Sequence, residues 1–167
     1  LNAGWQLITM QLNHERVGLA ALSGLTERLL DDVVSWCRET PSGTADGSMM
    51  IDVAWVQSDL AKCTATCKAI RLITWRLVHA VAENSLGPAE ASSVKVFGTE
   101  QVVEVYRTLQ GILGPIAHLR SDSPGAFLHG ELERANQAAQ INTFGGGVNE
   151  IQRDLVATAG LGLKRSR

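Results

Sequence analysis

The stretch VAWVQSDLAKCTATCKAIRLITWRLVHAV, residues 53–81, decides the fold. Its apolar positions Val53, Val56, Leu60, Cys63, Cys67 and Ile70 step by threes and fours, and Leu77 and Val81 resume the series after Thr74 interrupts it. That spacing marks one face of an α-helix rather than the alternation of a strand. A helix beginning near Met50 and running to Val81 is about 45 Å long at about 1.5 Å per residue. One apolar stripe of that length needs other helices to cover it.

The flanking sequence supplies them. Upstream, Ile8, Leu12, Leu19, Leu22, Leu29 and Val33 form a second stripe, which ETPSGTADGS (39–48) ends with proline, glycine and small polar residues. Downstream, NSLGPAEASS (84–93) breaks the chain again, and Pro88 suits the first turn of a third helix. That helix is predicted through Val94, Phe97, Val102, Val105, Leu109 and Ile112, stopping at Gly114-Pro115. After the loop SDSPG (121–125), a fourth helix is expected over 126–142 and a short last one over 149–159. No segment reads as a strand. The expected fold is all-α, an antiparallel four-helix bundle with a short extra C-terminal helix, one domain across 1–167.

Composition narrows the function classes. The 167 residues are 45% hydrophobic and 19% charged with a net charge of −2, an ordinary globular profile. The apolar runs are short and broken by charge, so insertion in a membrane is not expected. Without a basic stripe, nucleic acid is not an expected partner either. Three cysteines stand at 37, 63 and 67, with no histidine spaced to complete a zinc site. They read as buried free thiols of a reducing, cytoplasmic compartment, with no metal. His14, His79, His118 and His129 are scattered and read as surface or structural residues; the tryptophans at 5, 36, 55 and 75 are expected in the core or at subunit interfaces. The opening LNAGWQLITM carries no basic leader and resembles the interior of a helix, which points to a piece of a longer chain.

Two places depart from plain packing. Glu15 occupies the stripe position between Leu12 and Leu19. A carboxyl group on a core-facing stripe is costly to ionise, which raises its pKa and suits a general base; the alternative is a glutamate that reaches solvent or pairs with an arginine such as Arg16. The second place is FGGGVNEIQRDL, 144–155. Its glycines permit close approach to the backbone, or simply cap a helix and make a tight turn. A dinucleotide fingerprint is absent, although the short helix after the turn could present N–H groups to a phosphate or a flavin edge.

With these pieces assembled, the chain resembles the C-terminal helical domain of the acyl-CoA dehydrogenase family over nearly all its length. The resemblance is most specific at NHERVGLA (13–20), similar to the segment that lies over the acyl chain, and at GGGVNEIQRDLVA (145–157), similar to the family's EGTxEIxR turn and helix. Lys95, in ASSVK, resembles a recurrent family lysine on the third bundle helix. The resemblance implies a flavoenzyme whose N-terminal helical and middle β domains lie outside this chain. In it a glutamate removes the α-proton of an acyl-CoA thioester and a hydride passes to FAD.

Most members carry that glutamate first in the signature turn, where this chain has Gly146; a minority carry it on the first bundle helix before an arginine, as in Glu15-Arg16. The resemblance thus implies Glu15 as catalytic base, Asn13, His14, Arg16 and Gly147 beside the substrate, and Val148, Asn149 and Glu150 at the FAD. A backbone N–H at Gly146 would face the thioester carbonyl. Small residues near Glu15 (Gly18, Ala20, Ala21) leave room for a branched or polycyclic acyl group.

Two family segments that reach a neighbour's FAD are altered. CRETPSGTADGS (37–48) replaces RxxFG, and QxxGG reads GILGP at 111–115. That pattern resembles the heteromeric actinobacterial members linked to steroid breakdown, and implies an oligomer with a like or unlike acyl-CoA dehydrogenase subunit. Electron-transfer flavoprotein is the implied electron acceptor. The alternative is a non-catalytic assembly subunit in which Glu15 is structural.

Overall fold

A computed structural model describes Gly4, Leu7, Ile8, Gln11, Leu12 and residues 21–164, with the side chains of 21–23 excepted. The fold is all-α. Helix α1 is described over Ala21–Glu39; a 3₁₀ turn at Met50–Asp52 leads into α2, Ala54–Ala82; α3 spans Pro88–Leu113, α4 Glu131–Asn142 and α5 Asn149–Leu155. A π-type turn, Val156–Gly160, extends α5.

The stripe in residues 53–81 works as its spacing predicts. Val56, Leu60, Cys63, Cys67, Ile70 and Leu77 are all buried on one face of α2. Each fully buried aliphatic side chain of this kind contributes about 1.5–3 kcal/mol relative to exposure. Opposite them lie Leu29, Val33 and Cys37 of α1 and Val102, Tyr106 and Leu109 of α3. A polar link inside this core joins α1 to α3, Thr26 Oγ1 to Tyr106 Oη at 2.9 Å, which satisfies a buried phenol.

Helix α3 is the hub, packed against α1, α2, α4, α5 and the π turn. It runs antiparallel to α2 across a five-residue connection, 83–87, where Arg76 Nε donates to Glu90 at 2.8 Å. It is also antiparallel to α4, because Gln110 donates to Glu133 near one end and Lys95 donates to the Thr143 carbonyl near the other. The same holds for α5 and its extension. Asn149 donates to Thr99, while a Cβ on Gly160 would come within 3.0 Å of the Ala89 Cβ. Helices α4 and α5 therefore lie in series along α3, and the glycine turn between them breaks the line without reversing the chain.

Two expectations need correction. On the first half of α3 the buried face is Ala91, Lys95, Thr99 and Val102, while Phe97 is 37% exposed. The lysine can be buried there because its ammonium has oxygen partners. The helix expected from residue 126 begins instead at Glu131, since Leu128 and His129 adopt left-handed backbone conformations in a 3₁₀ segment. Gly130 completes that bend with φ +72, and a Cβ there would sit 2.8 Å from the Ser121 nitrogen. Of the two places expected for the tryptophans, Trp36 takes the core, while Trp55 and Trp75 are 51% and 71% exposed, which leaves them the subunit-interface alternative; Trp5 lies outside the described residues. On the upstream stripe Ile8 is exposed as well.

Candidate functional site

The site is built around the turn from Thr143 to Val148. Helix α4 closes with the Gly145 N–H on the Ile141 carbonyl at 3.1 Å, and the Asn149 N–H reaches back across the turn to the Thr143 carbonyl at 3.1 Å. Between them Gly146 has φ +66 and Gly147 φ +101. Both values are strained for any residue with a Cβ. At Gly147 space is closed too, because a Cβ would stand 2.5 Å from Gln152 Nε2, whereas at Gly146 nothing lies within 4 Å.

Beneath the turn lies Lys95, 2% exposed. Its ammonium donates to the Thr143 carbonyl at 2.9 Å, to the Gly147 carbonyl at 2.8 Å and to Asn149 Oδ1. Three convergent oxygens match the three hydrogens of an ammonium. They compensate the desolvation that would otherwise exclude a lysine from the interior. A carboxylate completes the network: Asn149 Nδ2 donates to Glu100 Oε1 at 3.0 Å, and Arg153 Nη2 donates to Glu100 Oε2 at 2.7 Å. The Arg153 hydrogen bond holds the Glu100 carboxyl below the usual glutamate range, helped by Asn149 and by the charges of Arg153 and Lys95. Gln152, also buried, places its Nε2 3.5 Å from the Gly146 carbonyl.

Of the residues singled out from the sequence, this arrangement brings together Gly147, Val148, Asn149 and Glu150. Gly147 and Glu150 are exposed, Val148 is half-buried, and Asn149 is buried with its carboxamide engaged on Lys95, Thr99 and Glu100. Asn13, His14, Glu15 and Arg16 lie outside the described residues. The turn itself holds no side chain able to take a proton. His79, His118 and His129 are exposed.

Thr99, Glu100, Gln152 and Arg153 were missed as site residues by sequence reasoning. A usable signal was present, since Ala91, Lys95, Thr99, Val102, Tyr106 and Leu109 are spaced by fours and threes. A lysine and a threonine on that register belong to the buried face. Beside the network, a surface groove of about 400 Å³ runs between α3 and the end of α5, lined by Val96, Phe97, Glu100, Arg153, Val156 and Leu161 among others. Among the described residues no three metal-binding side chains cluster, and no helix is long and apolar enough to cross a membrane.

Residues 2–161 match the family described as acyl-CoA dehydrogenase, C-terminal domain. Acyl-CoA dehydrogenase FadE26 of Mycobacterium tuberculosis is 45% identical over 99% of this chain, which spans 41% of that relative's length. A solved structure described as the Tcur3481-Tcur3483 steroid ACAD superposes with a TM-score of 0.89 at 48% identity, covering 99% of this chain and 41% of the other. The ChsE4-ChsE5 complex from M. tuberculosis superposes with a TM-score of 0.86 at 46% identity, covering 99% and 42%. The chain spans about two fifths of the length of these relatives, and over that span it belongs to the acyl-CoA dehydrogenase family, corresponding to the family's C-terminal domain.

Proposed function

We propose that this chain is the C-terminal helical domain, 1–167, of a flavin-dependent acyl-CoA dehydrogenase whose N-terminal helical and middle β domains lie outside it. In this reading Glu15 takes the α-proton of an acyl-CoA thioester, and Asn13, His14, Arg16 and Gly147 line the acyl group. The observation that carries it is the glycine turn, anchored from beneath by Lys95 yet bearing no acid. A turn kept in place without its base supports a base at the family's other position, which is Glu15. An α-proton next to a thioester is weakly acidic, so the carboxylate has to be close and shielded from water.

The turn also suits a flavin edge. Gly146 leaves open space where a side chain would stand, and Val148 and Glu150, which follow it in the chain, would touch the flavin. Asn149 would contribute by holding this edge of the turn in place, its N–H being engaged on the Thr143 carbonyl and its carboxamide inside. FAD supplies the hydride acceptor, and electron-transfer flavoprotein is the proposed onward acceptor. The relatives described as a steroid ACAD and as a two-component complex support a polycyclic acyl-CoA substrate and an unlike partner subunit.

The test is flavin reduction by acyl-CoA under anaerobic conditions in the full-length protein, assembled with its partner, as wild type and as Glu15→Gln. The variant is expected to lose about 10²–10⁴ in rate, the usual contribution of a positioned base. A rate within about threefold of wild type would remove Glu15 from the chemistry and favour a non-catalytic assembly role for this subunit.

A further inference from the structure

We infer that Lys95 is the positioning residue of the glycine turn, holding the Gly147 carbonyl inward beside the Gly146 carbonyl held by Gln152, so that consecutive peptide N–H groups face the outer, substrate side. This rests on the reading of the turn as part of an acyl-CoA dehydrogenase site. Three glycines in a row have no side chains with which to fix their own peptide planes, and each plane can rotate at little cost. In a trans peptide the C=O and the following N–H point in opposite directions. The Gly147 carbonyl accepts from Lys95 Nζ at 2.8 Å, which turns the Val148 N–H away from Lys95. The Gly146 carbonyl accepts from Gln152 Nε2 at 3.5 Å, which turns the Gly147 N–H away from Gln152.

Lys95 also holds the Thr143 carbonyl at the end of α4 and the Asn149 carboxamide at the start of α5, so both banks of the turn are tied to one atom. Asn149 in turn is tied to Glu100 and through it to Arg153. Two adjacent outward N–H groups on an immobilised backbone, at Gly147 and Val148 and so just past the Gly146 N–H that the family resemblance implies, are suited to the negative charge that develops on a thioester carbonyl as its α-proton leaves. Neutral replacement leaves inward carbonyls without a donor. Arginine keeps the charge, but its planar fork cannot put three hydrogens on convergent oxygens.

The experiment uses the full-length protein with its partner and FAD, as wild type, Lys95→Arg, Lys95→Met and Asn149→Ala. Hydrogen exchange is followed at the amides of Gly145 and Asn149, whose bonds to Ile141 and Thr143 span the turn. Flavin content, melting temperature and the concentration dependence of flavin reduction are measured alongside. Lys95→Arg is expected to keep its flavin, to speed exchange at these amides by about tenfold or more, and to lower the limiting reduction rate by about tenfold or more. The concentration giving half-maximal rate should change by less than about threefold, because the N–H donors act mainly as charge develops.

A purely structural lysine would lower the melting temperature and leave the rate per bound flavin unchanged, which overturns the proposal, as does unchanged exchange at the turn. If both Lys95 variants fail to fold, Asn149→Ala decides. Faster exchange and slower reduction support the proposal, and wild-type values for either overturn it. Failure of wild-type flavin to be reduced by any acyl-CoA, with exchange still answering to Lys95, refutes the dehydrogenase reading and leaves the positioning intact.

Discussion

Gly146 and Gly147 are neighbours of one residue type, yet their environments differ. At Gly146 the cost of a side chain is conformational alone, because φ is +66 and the space is open. At Gly147, φ of +101 lies further from any conformation an L-residue favours, and a Cβ would displace the Gln152 amide from 2.5 Å away. Gly146→Ala should therefore cost about 1–2 kcal/mol. Gly147→Ala should cost more, about 2–3 kcal/mol, since it adds the lost Gln152 contact to the backbone strain. The ordering is read from unfolding midpoints in urea; equal midpoints would contradict the geometry. Glu15 stood out in the sequence at this same scale, as an acid on an apolar stripe. A stripe position alone does not distinguish a desolvated base from a glutamate that reaches water.

Helix α3 shows how far periodicity carries at the scale of an element. Its second half was legible, because Val102, Val105, Leu109 and Ile112 are both apolar and buried. Its first half was read on the wrong face, because an apolar count favours Phe97 over Lys95. Hydropathy registers the cost of burying an ammonium but not the three oxygens that offset it, which come from residues about fifty positions away. The start of α4 was misplaced for a related reason: Leu128 and His129 are left-handed without being glycine, held by the fold of the preceding loop.

Glu100 gives α3 and α5 a pH-dependent link. Its folded pKa lies below the ordinary value, chiefly through the hydrogen bond from Arg153, so the link stabilises the fold above that ordinary value. The contribution fades as pH falls through the lowered folded value. Both side chains are substantially exposed, 54% for Arg153 and 36% for Glu100. Glu100→Gln should therefore cost under about 1 kcal/mol at neutral pH. The gap between variant and wild type should close in strong acid, as followed by denaturation at a series of pH values. A gap that widened on acidification would reverse the sign and contradict the ion pair.

For the whole molecule, the placement of the thiols is diagnostic. Cys37, Cys63 and Cys67 are free and buried where α1, α2 and α3 meet, and burial pushes Cys63 and Cys67 up to about 11. At pH 8 all three should resist a thiol reagent while the chain is folded and react together once it unfolds. Fast labelling of the native chain would show a looser bundle than this one. The all-α architecture was legible because each helix carries its own stripe and its own stop. The exposed Trp55 and Trp75 were not assignable, since an aromatic on a helix looks alike in a sequence whether it serves a core or a boundary.

The in-line placement of α4 and α5 along α3 bears on length rather than on chemistry. The loop at 40–49 is a surface excursion tied to itself through Ser42, Thr44, Asp46 and Ser48, so an inserted residue there bulges outward and leaves the helices in phase. Between Thr143 and Asn149 no such slack exists, because both ends are fastened to Lys95. One residue gained or lost there changes the span between two points held by one ammonium, so Thr143 or Asn149 has to leave Lys95. Insertions and deletions among chains of this fold should accumulate in the first loop and be purged from the second.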